Sequence, residues 1–319
     1  MPWREPGIAP VLPAGLLFVL RRLWQLVPTV LTVSLIAFVL IRLSGDPASL
    51  LLTPEASEAE RRAFRVAHGL DRSLPVQYLV FLANLMRGDL GASFWQHEPA
   101  VQVVLSRFPA TLLLSATAIA IVIAVGLAVG VLAAMFRGTA LDWLVMAGVG
   151  LGQSVATFWL GLMLILAFAV FIPLFPPSGY GSPAQLVLPA VTLAAYYVAV
   201  TTRLTRSGML EVLGQDFIRT ARAKGLGESA TIVRHGLRNA LIPITTVLGL
   251  QIGELLAGAV VTETVFAWPG VGTLVLDAIT RRDYPVVQAT IVLIALVYAL
   301  VNLAVDLLYG ILDPRVRVS

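Results

Sequence analysis

The sequence predicts an all-α, polytopic membrane protein with about six transmembrane helices, and three observations carry that expectation. Of its 319 residues, 58% are hydrophobic and only 13% are charged, where a soluble domain carries about 25% charged residues. Mean hydropathy is +0.88. The apolar residues also gather into runs near the roughly 20 residues that a helix needs to cross a bilayer. Basic residues track the ends of those runs, so the net charge of +4 reads as membrane orientation and not as a nucleic-acid surface.

The first run, 23–43, follows Arg21-Arg22; it is too long for a signal peptide and lacks a small-x-small cleavage site, so it reads as an anchor. The apolar stretch 11–20 is too short to span and is expected along the membrane surface. Residues 44–109 are mixed and polar, the longest extramembrane region, with Arg61, Arg62 and Arg65 as a solvated helix face or a docking face. The second span, 111–135, is rich in Ala, Val and Gly, which permits close helix packing. The third, 141–171, is too long for a straight crossing and is expected to tilt or loosen near Gly150–Ser154. Pro176-Pro177 and Gly179 break the chain before a fourth span, 186–200, which can continue past Thr202. A fifth, 243–261, and a sixth, 286–309, complete the set.

The expected division is a cytosolic segment 1–22, a first helix 23–43, an extracytoplasmic region 44–109, a transmembrane core 110–312 with a cytosolic loop 203–240, and a cytosolic tail 313–319. Arginine bookkeeping sets the orientation. With the N-terminus in the cytosol, Arg4, Arg21, Arg22, Arg137, Arg315 and Arg317 lie inside together with the basic residues of the loop, whereas the short outer loops hold only Arg281 and Arg282.

Several chemistries are excluded. Cysteine is absent, which removes disulfides and thiolate metal sites. His68, His97 and His235 are far apart in sequence and form no ligand pair, so neither a metal centre nor a histidine triad is expected. The single lysine, Lys224, stands between Ala223 and Gly225, which fails the phosphate-loop pattern. The chain carries no ATPase site of that kind.

The loop is the most informative segment. Gln215–Lys224 contains no Gly or Pro, and Asp216 is placed to cap a helix. Phe217, Ile218 and Ala221 make an apolar strip, with Arg219 and Arg222 on another face. Gly225 and Gly227 break the helix, and Glu228 or Ser229 starts a second one, in which Val233, Leu237 and Leu241 stack and Arg234 and Arg238 form another stripe. Pro243 suits the first turn of the next span. From the residues alone, such a loop either lies on anionic lipid or docks a cytosolic protein.

The run Asp216-Phe217-Ile218-Arg219-Thr220-Ala221-Arg222-Ala223-Lys224-Gly225-Leu226, followed by Arg234-His235-Gly236-Leu237-Arg238-Asn239, closely resembles the cytosolic loop of ABC importer permease subunits of the dipeptide/oligopeptide/nickel group. Gly45-Asp46-Pro47, Gly88-Asp89-Leu90-Gly91, Glu263-Thr264-Val265-Phe266, Trp268-Pro269-Gly270, Asp283-Tyr284-Pro285 and Asp313-Pro314-Arg315 extend the likeness over nearly the whole chain, in the family's order. The resemblance implies a type I ABC importer permease architecture. It also implies a coupling helix that inserts into an ATPase subunit, with Arg219, Thr220, Ala221, Arg222, Ala223, Lys224, Gly225, Leu226, Gly227, His235, Arg238 and Asn239 as coupling residues. With Gly225 aligned on the generic Glu-Ala-Ala-x-x-x-Gly pattern, Arg219 replaces the glutamate, and Arg238 replaces the proline of Ile-x-Leu-Pro. Ala156 stands where relatives commonly have proline, so a weaker kink is expected there.

The implied partners are a homologous second permease, two cytosolic ATP-binding subunits, an extracytoplasmic solute-binding protein and the lipid bilayer. No cofactor is expected on this chain; ATP and magnesium belong to the ATPases. The implied cargo is di- or oligopeptides, with nickel chelates, glutathione or another small solute as alternatives. Gln251 and Glu254 on the fifth span, with Glu263, Trp268, Pro269 and Gly270 beyond it, are candidates for a translocation path or gate. Interhelical hydrogen bonding is the competing reading for Gln251 and Glu254, since an intramembrane polar group needs a partner. Asp306 reads either as part of that path or as the cytosolic end of the last helix, and Tyr196 and Tyr197 either line a pore or pack, with packing favoured. An ion-coupled secondary carrier working through Glu254 is the rival from another class, and an intramembrane enzyme lacks a histidine at membrane depth.

Overall fold

The computed structural model describes residues 24, 27–39, 56–67 and 69–312. The expectations for 1–22, for His68, for Gly45-Asp46-Pro47, for the side chain of Asp306 and for 313–319 lie outside the described residues. The helices that position the site are α1 (Val27–Val39), α2 (Glu58–Ala67), α3 (Leu74–Met86), α4 (Ala100–Met135), α5 (Ala140–Ser154), α6 (Thr157–Ile165), α7 (Pro183–Leu213), α8 (Asp216–Ala223), α9 (Glu228–Ala230), α10 (Arg238–Val265), α11 (Val271–Thr280) and α12 (Tyr284–Leu312).

Three described helices reach spanning length and apolarity by themselves: Ala100–Met135, Pro183–Leu213 and Tyr284–Val305. Two bent pairs can each serve as one further span. These five match the second to sixth apolar runs, and α1 lies within the first.

The boundaries differ from expectation in instructive places. The second span begins at Ala100, eleven residues early, and carries Pro109 inside the helix, so the end of the expected external region 44–109 is helical. The fourth continues unbroken to Leu213, taking the first third of the expected loop into a rigid helix. The third breaks between α5 and α6 with a 108° bend, a correction to the weaker kink expected without proline. Val155 and Ala156 both adopt extended backbone, and Ser154 Oγ donates back to the Gly150 carbonyl at 2.9 Å, a bond that competes with the helical ladder. The fifth contains Pro243 well inside α10 instead of at its first turn. A π-helical segment, Thr231–Leu237, precedes it, and the axis bends by 57° between Thr231–Leu241 and Pro243–Leu256, as the lost backbone donor of an interior proline requires.

α4 and α7 form the most extensive helix pair, and α10 packs against α7. Their shared core holds Leu114 and Val122 of α4, Leu193 and Met209 of α7, and Ile244 and Leu255 of α10. The close approach of α4 and α7 follows from Gly126 and Gly130, four residues apart on one face. A Cβ on Gly126 would stand 2.8 Å from Thr201 Cγ2, and one on Gly130 would stand 2.5 Å from Thr205 Cβ. This is the small-residue packing that membrane helices use where burial alone gives little drive. Large apolar side chains such as Leu144, Leu151, Val170 and Phe171 remain exposed, which an aqueous surface would penalise.

Candidate coupling site

Two buried residues anchor the inner face of α8. Ile218 is fully buried and Ala221 nearly so, whereas Phe217, expected in the same apolar strip, is exposed. Asp216 does not cap the helix: Gln215 occupies that position without a side-chain cap, and Asp216 pairs with Arg219 at 3.3 Å instead. The far end closes tightly. Gly225 adopts φ +81°, its N–H donates to the Arg222 carbonyl at 2.9 Å, and the Leu226 N–H donates to the Ala221 carbonyl at 3.3 Å. These two bonds form a Schellman motif, which favours glycine because the left-handed conformation strains any side chain.

Beyond the glycine, Arg222 makes a two-pronged ion pair with Glu228 at 2.6 and 3.1 Å, tying α8 to α9 across the bend. That hydrogen bond holds the Glu228 carboxyl below the ordinary range and pushes the Arg222 guanidinium up. Glu228 starts the second helix as expected. The buried stripe is shifted by one residue, however. Ile232, Gly236, Ala240 and Ile244 face inward, while Val233 is exposed and Leu237 and Leu241 are half-buried. The wider π turn rotates the face relative to an α-helical reading. Gly236 lets the Met209 side chain of α7 approach, its Cε lying 3.2 Å from where a Cβ on this glycine would stand.

The outcome is a knob. Arg219, Thr220, Arg222, Ala223, Lys224, Gly225, Leu226 and Gly227 are exposed, as are Arg238 and Asn239. His235 is half-buried and gives its carbonyl to the Asn239 side chain at 2.7 Å. Of the coupling residues read from sequence, only Ala221 points into the protein.

The polar residues of the fifth span do not form one group. Gln251 is buried and accepts a hydrogen bond from Thr201 of α7 at 3.1 Å, whereas Glu254, on the same helix, is exposed. Glu263 is fully buried. It accepts from Thr111 Oγ1 at 2.6 Å, from the Gly272 N–H at 2.7 Å and from the Thr273 N–H at 3.1 Å, so a carboxylate from α10 caps the N-terminus of α11. Trp268 is buried too, its indole donating to the Ala110 carbonyl at 2.9 Å and its ring meeting Tyr180 edge-on. Trp268-Pro269-Gly270 is thus packed into the protein. Gly270 is buried, and a side chain there would collide with the Glu263 carboxylate; Pro269 is half-buried. Within this chain, Glu254 alone of these candidates presents an exposed side chain.

Sequence reading missed three functional-looking contacts. The Glu228 partner of Arg222 was legible only as a helix start. Thr111 looked like the edge of a span. The pair Arg206–Asp142, with two contacts of 2.6 and 2.8 Å, joins residues 64 positions apart, and no local pattern reports that.

Residues 126–318 match the family model described as binding-protein-dependent transport system inner membrane component, and residues 15–115 match the model for its N-terminal part. The chain belongs to this permease family. Among its relatives, the dipeptide transport system permease protein of Escherichia coli (strain K12) is 42% identical, over 94% of this chain and 98% of that one. The di/tripeptide transport system permease protein of Pseudomonas aeruginosa (strain UCBPP-PA14) is 43% identical over the same shares. The glutathione transport system permease protein of Escherichia coli O6:H1 is 42% identical, again over 94% and 98%. The permease also shares its fold with a chain of the MetNI methionine ABC transporter in an inward-facing form, at TM-score 0.55 and 20% identity, over 66% of this chain and 96% of that one. It is therefore a membrane-spanning component of an ABC importer with the type I permease fold.

Proposed function

We propose that this permease forms half of the translocation pore of an ATP-driven importer of di- or oligopeptides, beside a homologous second permease. Two cytosolic ATPases would lie below it, holding ATP and magnesium, and an extracytoplasmic solute-binding protein above. In this reading both termini and the knob are cytosolic, residues 44–109 face outward, and the chain has no ATPase site of its own. The carrying observation is the knob itself. A short helix closed by a Schellman glycine presents arginines together with exposed Phe217 and Leu226, a mixture of aromatic, apolar and guanidinium groups typical of protein interfaces. ATP-driven closure of the ATPases would draw the knob along, and α7, which leads into it, would carry the displacement into the membrane as a two-state change. Peptide cargo is favoured by the relatives: two are named for di- or tripeptides, and glutathione is itself a short peptide.

Gly225→Asp tests the docking role. Among the described residues, no atom beyond the adjacent ones lies within 4 Å of the position a Cβ would take there, so the added carboxylate is placed to meet a partner. The chain's own cost is the left-handed strain of about 1–2 kcal/mol. Cells carrying the change should keep the permease in the membrane and lose uptake of a radiolabelled dipeptide. Wild-type uptake would refute the docking role, and excess glutathione competing where dipeptides do not would reassign the cargo.

A further inference from the structure

Arg206 stands on the part of α7 that runs past the α4 contact towards the knob, seven residues before that helix ends at Leu213. Its Nε and Nη2 donate to Asp142 Oδ1 and Oδ2 at 2.6 and 2.8 Å, the parallel fork that fixes direction as well as distance. The Gly138 N–H donates to the same carboxylate at 2.9 Å. Asp142 is only 5% exposed, a costly place for a carboxylate unless it is fully bonded. It lies in the first turn of α5, directly after the Phe136–Thr139 turn that ends α4, where Gly138 is left-handed at φ +77°. One residue before Arg206, Thr205 is pressed against Gly130 of α4. On the far half of α5, Gly152 packs against Ala199 of α7, with 3.3 Å from a Cβ built on the glycine to that of the alanine.

We infer that Asp142 and Arg206 are positioning residues for coupling: their fork binds the α4–α5 turn to α7, so that a displacement entering at the knob moves α4, α5 and α7 as one body. Glycine–threonine packing holds α4 against α7 within the span, and the ion pair holds the end where the push arrives. Without the pair, α7 can shift while the α4–α5 turn stays behind. The inference rests on the docking role proposed for the knob.

The test uses the complete complex of both permeases, the ATPases and the binding protein, reconstituted in liposomes with a dipeptide as solute. Arg206→Lys keeps the charge but not the planar fork. It should assemble in normal amount, hydrolyse ATP at the basal wild-type rate and lose at least roughly tenfold in solute moved per ATP, as misplacement of a working part does. The double exchange Asp142→Arg with Arg206→Asp should recover most of that loss. Wild-type coupling in Arg206→Lys, or no recovery in an assembled exchange variant, overturns the inference. If Gly225→Asp uncouples transport and Arg206→Lys does not, the docking role stands and only this inference fails; if Gly225→Asp is without effect, the docking role itself fails. A further measurement does not depend on the ion-pair variants folding. The chain has no cysteine, so Gly152→Cys with Ala199→Cys places a single staple between α5 and α7, close to the Cβ separation of about 3.5–4.5 Å found in disulfides. Helices that travel together tolerate the staple, and oxidised complexes should transport as well as reduced ones. Loss of uptake on oxidation, reversed by reductant, overturns the inference.

Discussion

Glu263 illustrates how one buried carboxylate organises the chain around it. It stands at the end of α10 and serves three donors, two of them backbone N–H groups at the start of α11. The same geometry accounts for two glycines: a Cβ at Gly270 would enter the carboxylate, and one at Gly272 would come 2.6 Å from Val260 Cα. Thr111 completes the arrangement, since its hydroxyl donates to Glu263 and accepts the Val271 N–H at 2.8 Å. Glu263→Ala leaves these buried donors without an acceptor, at roughly 1–3 kcal/mol for each group left unsatisfied. The variant should therefore melt well below wild type in a detergent thermal-shift measurement. Glu263→Gln, which keeps one acceptor oxygen, should fall between them. Equal melting of all three proteins would show that the cap adds nothing to stability. The Glu-Thr-Val-Phe and Trp-Pro-Gly landmarks were visible in the sequence as separate motifs. That they form one site with Thr111 was not, because the bonds from Thr111 to Glu263 and Val271 run across 152 and 160 residues of chain.

At the scale of elements, what the sequence revealed and what it concealed divide along a physical line. Apolar runs report burial in lipid or protein whatever the helix does in detail, so the spans were legible; Gly225 marks a helix end through its left-handed backbone, so the bend was legible too. Register was not. The π segment Thr231–Leu237 turns the inward face from Val233 to Ile232, and 3.6-residue periodicity cannot anticipate a wider turn. The 108° break at Val155-Ala156 arises from backbone and serine hydrogen bonding, with no proline to announce it. Helix pairing was partly readable: the Ala, Val and Gly content of the second span announced close packing without naming positions or a partner, and Gly126 and Gly130 against the threonines of α7 supply them. Gly130→Val tests that pairing. Its side chain would collide with Thr205 and with the Thr202 carbonyl, 2.8 Å from the Cβ position, and overpacking of this kind typically costs about 1–3 kcal/mol. The variant should reach the membrane in reduced amount and should be cut faster by protease in detergent. Gly148→Val, where no atom of the described residues outside its own helix backbone lies within 4 Å of a Cβ, serves as the control and should behave as wild type.

For the molecule as a whole, orientation governs everything proposed about partners, and it rests on a charge asymmetry. The knob end carries Arg203, Arg206, Arg219, Arg222, Lys224, Arg234 and Arg238, while the short connection between α11 and α12 carries only Arg281 and Arg282. The proposed orientation follows the positive-inside rule, by which the richer end lies in the cytosol. The opposite face is built differently: Asp283 accepts from Ser93 Oγ at 2.5 Å and from the Phe94 N–H at 3.2 Å, and Trp95 donates to the Arg281 carbonyl at 3.0 Å. These bonds fasten residues 93–95 to the start of α12, so the region before α4 and the α11–α12 connection share one side of the membrane. The proposed topology, in which α4 crosses once, then puts the knob on the other side, since Arg206 of α7 is bonded to Asp142 beside the α4–α5 turn. Single cysteines introduced into the cysteine-free chain at Lys224 and at Gln96, both exposed, decide the matter. A membrane-impermeant maleimide applied to intact cells should label Gln96→Cys and spare Lys224→Cys, and inside-out vesicles should reverse the pattern. Labelling of Lys224→Cys from outside would place the knob beyond the reach of any cytosolic ATPase, and the proposed coupling would fall with it.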